Sequence, residues 1–418
     1  MILVRLFIFT FIHLPMKPFR FSIHAAFILI AFVMATAFTS CSDDEELPPY
    51  PDKAKQTVIM YMPWADNTIH YYFEKNISAF KAAIERNHGL DGNQLIVFIA
   101  ENGQQSQMYR IYYYDGKCRR ETLKTYDFAS CDYTTPEGIS QIISDAIAAA
   151  PASSYALAIG CHGMGWVPAG TDVGTRIAAK SVQSTNAYPT RFFGSGVGDD
   201  PTYQTDILTL AEGIADTGVK MKYILFDDCY MSNIETAYDL RNVTDYLIAS
   251  TCEIMIDGMP YDEIGIDLLN NKFKNVVDKF YNHYSNFSPH PCGTIGVTDC
   301  REVEKMAYII KQINDVYANL SCDITDIQDL DGFENTIFFD LGDYVSHLCS
   351  DQTLLYAFNE QLNRLVPYKA NTETYYTAMY EYKEYPINTF SGITISDPSI
   401  NRSIANVKTQ TNWYRDTH

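Results

Sequence analysis

Five short apolar runs constrain what this chain can fold into. They read "TVIMYMP" (57–63), "QLIVFIAE" (94–101), "SYALAIG" (154–160), "KYILFD" (222–227) and "DYLIAST" (245–251). Each is bounded by turn signals and apolar almost throughout, as a strand buried on both faces must be. Helical patterns at 70–86, 136–150, 206–216 and 234–240 fall between them, the second opening on Pro136. Buried strands separated by helices imply βαβ units and a parallel sheet covered on both sides. Asp115-Gly116 between two alternating runs predicts a hairpin. Further on, helical patterns at 271–285 and 301–318 flank a strand, "GTIGVTD" (293–299). Helices are expected at 338–348 and 352–366, and strands within "YYTAMYEY" (375–382) and "SGITIS" (391–396).

The 418 residues are 47% hydrophobic, enough for a large core. With 31 basic against 51 acidic residues the formal charge is −20, which argues against a nucleic-acid partner. Lys17 and Arg20 precede an apolar run, 21–38, that ends in "TSC" (39–41). A basic start, an apolar stretch and small residues before a cut site describe a signal peptide over 1–40, with Met16 an alternative start. An uncleaved membrane anchor is the alternative reading. The cysteine after the small residues resembles a bacterial lipobox, which implies lipidation of Cys41. The acid- and Pro-rich segment 41–56 is then a tether. It resembles the surface-export signal of Bacteroidetes lipoproteins, implying an outer-membrane lipoprotein exposed at the cell surface. Ten cysteines include no C-x-x-C pair, so spacing offers neither a zinc site nor a thioredoxin-like motif.

Two apolar runs end in chemistry. "YALAIGCHGMGW" carries His162 and "YILFDDCYMS" carries Cys229, each just past a strand core. Ligands of open parallel sheets sit beyond the carboxyl ends of the strands. A thiol becomes a strong nucleophile when an imidazole takes its proton. Gly160, Gly163 and Gly165 let the backbone beside the histidine turn sharply and approach a substrate. A backbone amide there, Gly163 among the candidates, can hold an oxyanion. Taken alone, His162 also reads as a packed core residue, and Cys161 as a small buried apolar one.

The His-Gly pair after one strand and "FDDCYMSNIE" after the next resemble the clostripain family of cysteine peptidases, relatives of caspases, gingipains and legumains. "LIASTCEIMIDGMPYDEI", "FFDLGDYV" and "SGITIS" extend the likeness over most of the chain beyond residue 57. Asp228 departs from the family pattern, where Ala is common. The resemblance implies a caspase-like α/β sandwich with a mostly parallel central sheet, its catalytic core at 57–270, and a smaller α+β part at 271–418. It implies a His162/Cys229 dyad and cleavage of peptides after Arg or Lys. Asp227 and Asp257 would line the S1 pocket, where a carboxylate pairs with guanidinium. Asp227 alternatively reads as the N-cap of a helix starting near Met231, and Asp257 as a turn residue before Gly258. Self-activation in the long loop after the histidine is implied, at Arg176 or Lys180. No cofactor is required; calcium is associated with clostripain itself, but no D-x-D-x-D-G loop is present. A catalytically silent binding lipoprotein on the same scaffold is the alternative from another class. A cysteine-dependent acyltransferase or amidase would share the dyad without needing the S1 carboxylates.

Overall fold

Each of the five apolar runs forms a strand, and all five lie parallel in one sheet. The computed structural model describes residues 52–64, 69–171, 173, 204–317, 323–379 and 382–418. The strands are β1 (Thr57–Met62), β2 (Gln94–Ala100), β3 (Gln105–Tyr114), β4 (Lys117–Asp127), β5 (Tyr155–Ile159), β6 (Met221–Phe226), β7 (Thr244–Ala249), β8 (Thr294–Asp299), β9 (Phe339–Asp340), β10 (Tyr368–Asn371), β11 (Thr374–Thr377), β12 (Lys383–Pro386) and β13 (Thr394–Ile395). Nine form the main sheet in the order β10-β8-β7-β6-β5-β1-β2-β3-β4. The run from β7 to β2 is parallel; β8 and β10 on one side and β3 and β4 on the other are antiparallel. The expected hairpin joins β3 to β4, with Asp115 at φ 50° and Gly116 at φ 79°. Two successive positive φ values make the primed turn that suits strand twist.

Side chains of a strand alternate between faces, and the alternation sorts the core into two layers. Val58 and Met60 of β1, with Tyr223 and Leu225 of β6, face α1 (Ile69–Arg86). Ile59, Tyr61, Ile159, Ile224 and Phe226 face the other way, onto α2 (Pro136–Ala149), α3 (Ile207–Ala215) and α4 (Ile234–Leu240). Two more helices, α5 (Tyr261–Leu269) and α6 (Phe273–Tyr284), complete the first layer. The second gains α7 (Val303–Tyr317), α8 (Leu341–Leu348), α9 (Gln352–Leu365) and α10 (Asn412–Thr417). The fold is thus an α/β sandwich with a mostly parallel sheet, plus a smaller α+β region whose strands β8 and β10 continue the same sheet.

The later region differs from expectation in detail. The helix anticipated over 338–348 starts only at Leu341, because Phe339 and Asp340 pair with β13 and Asp340 caps the helix through the Asp343 N–H at 3.0 Å. Helices α5 and α10 and strands β10 and β12 were not anticipated. Residues 1–51, with Cys41, and the stretch holding Arg176 and Lys180 lie outside the described residues. Among the described residues no helix is long and apolar enough to cross a membrane.

The segment after β13 is tied to α4 by a buried acid. Glu235 Oε1 accepts the Ser396 N–H at 2.7 Å. Burial and the neighbouring Asp397 carboxylate push the Glu235 pKa up to about 8. Asp239 adds to the repulsion, and Lys408 lies close enough for its own pKa to feel Glu235. The folded state therefore holds this proton between about pH 4.5 and 8 while the unfolded state has lost it. Its contribution to stability is full at low pH and is lost as pH rises through the folded pKa. Replacing Glu235 by Gln should leave the melting temperature near wild type at pH 5 and raise it above wild type at pH 8.5, read by circular dichroism.

Candidate active site

Ile159 of β5 and Phe226 of β6 are register partners. The chain leaves both strands at the same end of the sheet, and three residues further along each come His162 and Cys229. Equal height on adjacent strands brings the two loops together. A Cβ placed on Gly163 would meet the Cys229 carbonyl oxygen at 2.3 Å and the Cys229 nitrogen at 2.9 Å. Only glycine leaves room for so close a backbone approach. Two residues flanking the pair are also joined. Asp228, fully buried, accepts the Cys161 backbone N–H at 2.6 Å and its thiol at 3.3 Å. Cys161 is thus half-buried and engaged with polar partners, not a small apolar filler. The His162 ring stands edge-on to Trp64, centroids 5.2 Å apart.

Cys229 sits on a strained turn. Tyr230, the next residue, has φ 61°, a left-handed conformation that is costly for a bulky side chain. It is held there by its N–H to Cys252 O at 3.0 Å, its hydroxyl to Glu253 Oε1 at 3.0 Å, and a stack on Phe338 with centroids 5.2 Å apart. Glu253 also accepts the Ala378 N–H at 3.1 Å, so the later region braces this turn. The thiol of Cys229 is fully enclosed and accepts the Ile254 N–H at 3.2 Å.

Asp227 does not cap a helix. The N-cap of α4 is Asn233, whose side chain accepts the Thr236 N–H, and the helix starts at Ile234. Asp227 instead accepts the Met259 N–H at 2.8 Å, and so fastens the turn that carries Asp257 to the end of β6. That turn is half-exposed at Asp257, continues into Gly258 at φ 72°, and is held from α1 by Asn76 Nδ2 on the Asp257 carbonyl at 2.8 Å. The two carboxylates therefore belong to joined segments on the α1 side of the sheet. Sequence reasoning missed the clasp between Asp228 and Cys161 and the bracing by Trp64 and Glu253; no local pattern links residues so far apart.

No disulfide joins any two of the eight described cysteines. Among the described residues no group of three His, Cys, Asp or Glu side chains could hold a metal ion.

The sequence model of the Clostripain family matches residues 60–412. The chain belongs to this family. A secreted C11 cysteine protease from Bacteroides thetaiotaomicron, "iotapain", is 47% identical with a TM-score of 0.77, covering 88% of this chain and 100% of that one. An inactive zymogen C11 protease from Parabacteroides distasonis is 26% identical, TM-score 0.73, covering 88% and 99%. A clostripain from Bacteroides thetaiotaomicron, in complex with the peptide inhibitor BTN-VLTK-AOMK, is 53% identical over 54% of this chain and 99% of its own, TM-score 0.50. No curated protein matches. Family membership and these relatives support cysteine-type endopeptidase activity.

The close approach at Gly163 makes a prediction. Gly163→Ala must push the two backbones apart, because the nearest obstacle is main chain and cannot rotate away. Overpacking of this kind costs about 1–3 kcal/mol. Urea denaturation should show that loss, with activity falling together with it.

Proposed function

We propose that this protein is a cysteine endopeptidase that cuts peptide bonds after Lys or Arg, with Cys229 as nucleophile and His162 as its proton acceptor. The observation that carries this reading is the contact of Gly163 with the Cys229 backbone, which joins the two reactive loops. His162 takes the thiol proton and the thiolate attacks the scissile carbonyl. The Cys229 and Gly163 N–H groups hold the oxyanion. The C–N bond then breaks, His162 returns the proton to the leaving amine, and water hydrolyses the thioester. Asp257, half-exposed, and Asp227, enclosed beneath the same turn, supply negative charge for a basic P1 side chain. The related clostripain bound to an inhibitor ending in Lys supports a basic P1.

The enclosed thiol supports an uncut form awaiting activation, and we place the cut at Arg176 or Lys180. A silent binding scaffold would also enclose its thiol, so activity decides between the two. Cys229→Ala should abolish hydrolysis of fluorogenic peptides carrying Lys or Arg at P1 and leave the melting temperature within a few degrees. Mass spectrometry should find a cut after Arg176 or Lys180 in wild type and none in the variant. Equal cutting in both would assign it to another protease.

Export and anchoring belong to the same reading: a lipoprotein of the outer membrane, held through Cys41. One acyl chain binds a membrane only marginally, so several would be attached. Cys41→Ser should move the protein to the soluble fraction and block fatty-acid labelling; a labelled Ser variant would place the anchor elsewhere.

A further inference from the structure

A cavity of about 420 Å³ opens beside His162. Its size is that of a small-molecule or side-chain pocket. The ends of β1, β5 and β6 supply Tyr61, Ile159 and Phe226 to its wall; α2 supplies Ile139 and α3 supplies Leu210. These residues belong to the α2–α3 layer of the core. Asp227, Asp257 and Cys229 do not line it. The Asp257 turn is pinned to α1, on the opposite side of the sheet. His162 lines the cavity.

Two carboxylates reach the cavity, and both have backbone partners. Asp206 accepts the Ala169 N–H at 2.7 Å and Asp228 the Cys161 N–H at 2.6 Å. The other wall side chains named above, the His162 ring aside, are apolar apart from the Tyr61 hydroxyl, which donates to the Tyr133 carbonyl at 3.1 Å, and such a wall favours an apolar guest over a charged one.

The direction of the chemistry identifies the guest. His162 must hand its proton to the leaving amine, so the amine side of the substrate passes the imidazole. From S1 on the α1 side, the chain beyond the cut bond runs toward the α2–α3 side. We propose that this cavity is the subsite for the residue following the cut, P1′, and that it selects a large apolar side chain there. The inference rests on the peptidase reading above and adds a second determinant to it.

Internally quenched peptides with Lys fixed at P1 and Gly, Ala, Leu, Phe, Asp or Arg at P1′ test it on the full wild-type chain. A filled apolar pocket is worth tenfold or more in specificity, so kcat/KM should rise about tenfold from Gly to Leu or Phe. Asp and Arg should fall at or below Gly. Leu210→Trp fills the cavity and should cut the Phe-to-Gly ratio by about fivefold or more. Leu210→Ala widens it and should move the optimum toward Trp at P1′, which keeps the test open if the Trp variant fails to fold. Cleavage with a flat P1′ profile, a preference for Arg or Asp there, or a Phe preference unchanged in both variants overturns the subsite and leaves the peptidase reading intact. No cleavage of any peptide with a basic P1 overturns the peptidase reading and this inference together.

Discussion

Ile159 and Phe226 are register partners on adjacent parallel strands, and His162 follows the one at the same distance as Cys229 follows the other. Parallel pairing is what makes this work. In an antiparallel pair the two loops would leave from opposite ends of the sheet, and a histidine after one strand could never meet a cysteine after the next. Given the parallel register, the remaining task is local: hold two backbones together at the strand ends. Gly163 does this by having no side chain, Asp228 by bridging to Cys161, and Tyr230 by accepting a strained φ that turns Cys229 inward.

That strain is supported from far away in the chain. Tyr230 leans on Phe338 and Glu253, and Glu253 in turn accepts from Ala378. The Asp257 turn is fixed by Asp227 on one side and by Asn76 on the other. Residues beyond 270 therefore do more than lengthen the sheet. They form part of the frame that holds the loops bearing His162 and Cys229, and the family match likewise runs to residue 412 and not merely through the parallel strands.

The parallel strands were legible because a doubly buried strand reads as a short apolar run between turn signals, and their helices because the periodicity between runs is clean. The placement of His162 and Cys229 just past two strand ends was legible for the same reason: they mark where such runs stop. The later region was harder. β9 and β13 are two residues each, too short to show alternation, and β11 and β12 pair only with one another. Helix α5 follows Pro260 directly, inside a stretch whose glycines and acids read as a loop. The clasp of Asp228 on Cys161 spans 67 positions, and the hydrogen bond from Ser396 to Glu235 spans 161. Side chains paired at such separations leave no periodic trace.

The strand order carries one more consequence. Every strand before the loop that follows His162 lies on one side of the β5–β6 seam, and every main-sheet strand after it lies on the other. A single break in that loop would turn one chain into two complementary subunits, each owning an unbroken half of the sheet. They would stay joined by the β5–β6 ladder and by contacts such as the stack of Phe80 on Tyr261 and the bond from Gln56 to Leu268. His162 would belong to one subunit and Cys229 to the other. The two residues would then be shared across a heterodimer interface, and whatever loosens that interface would draw them apart.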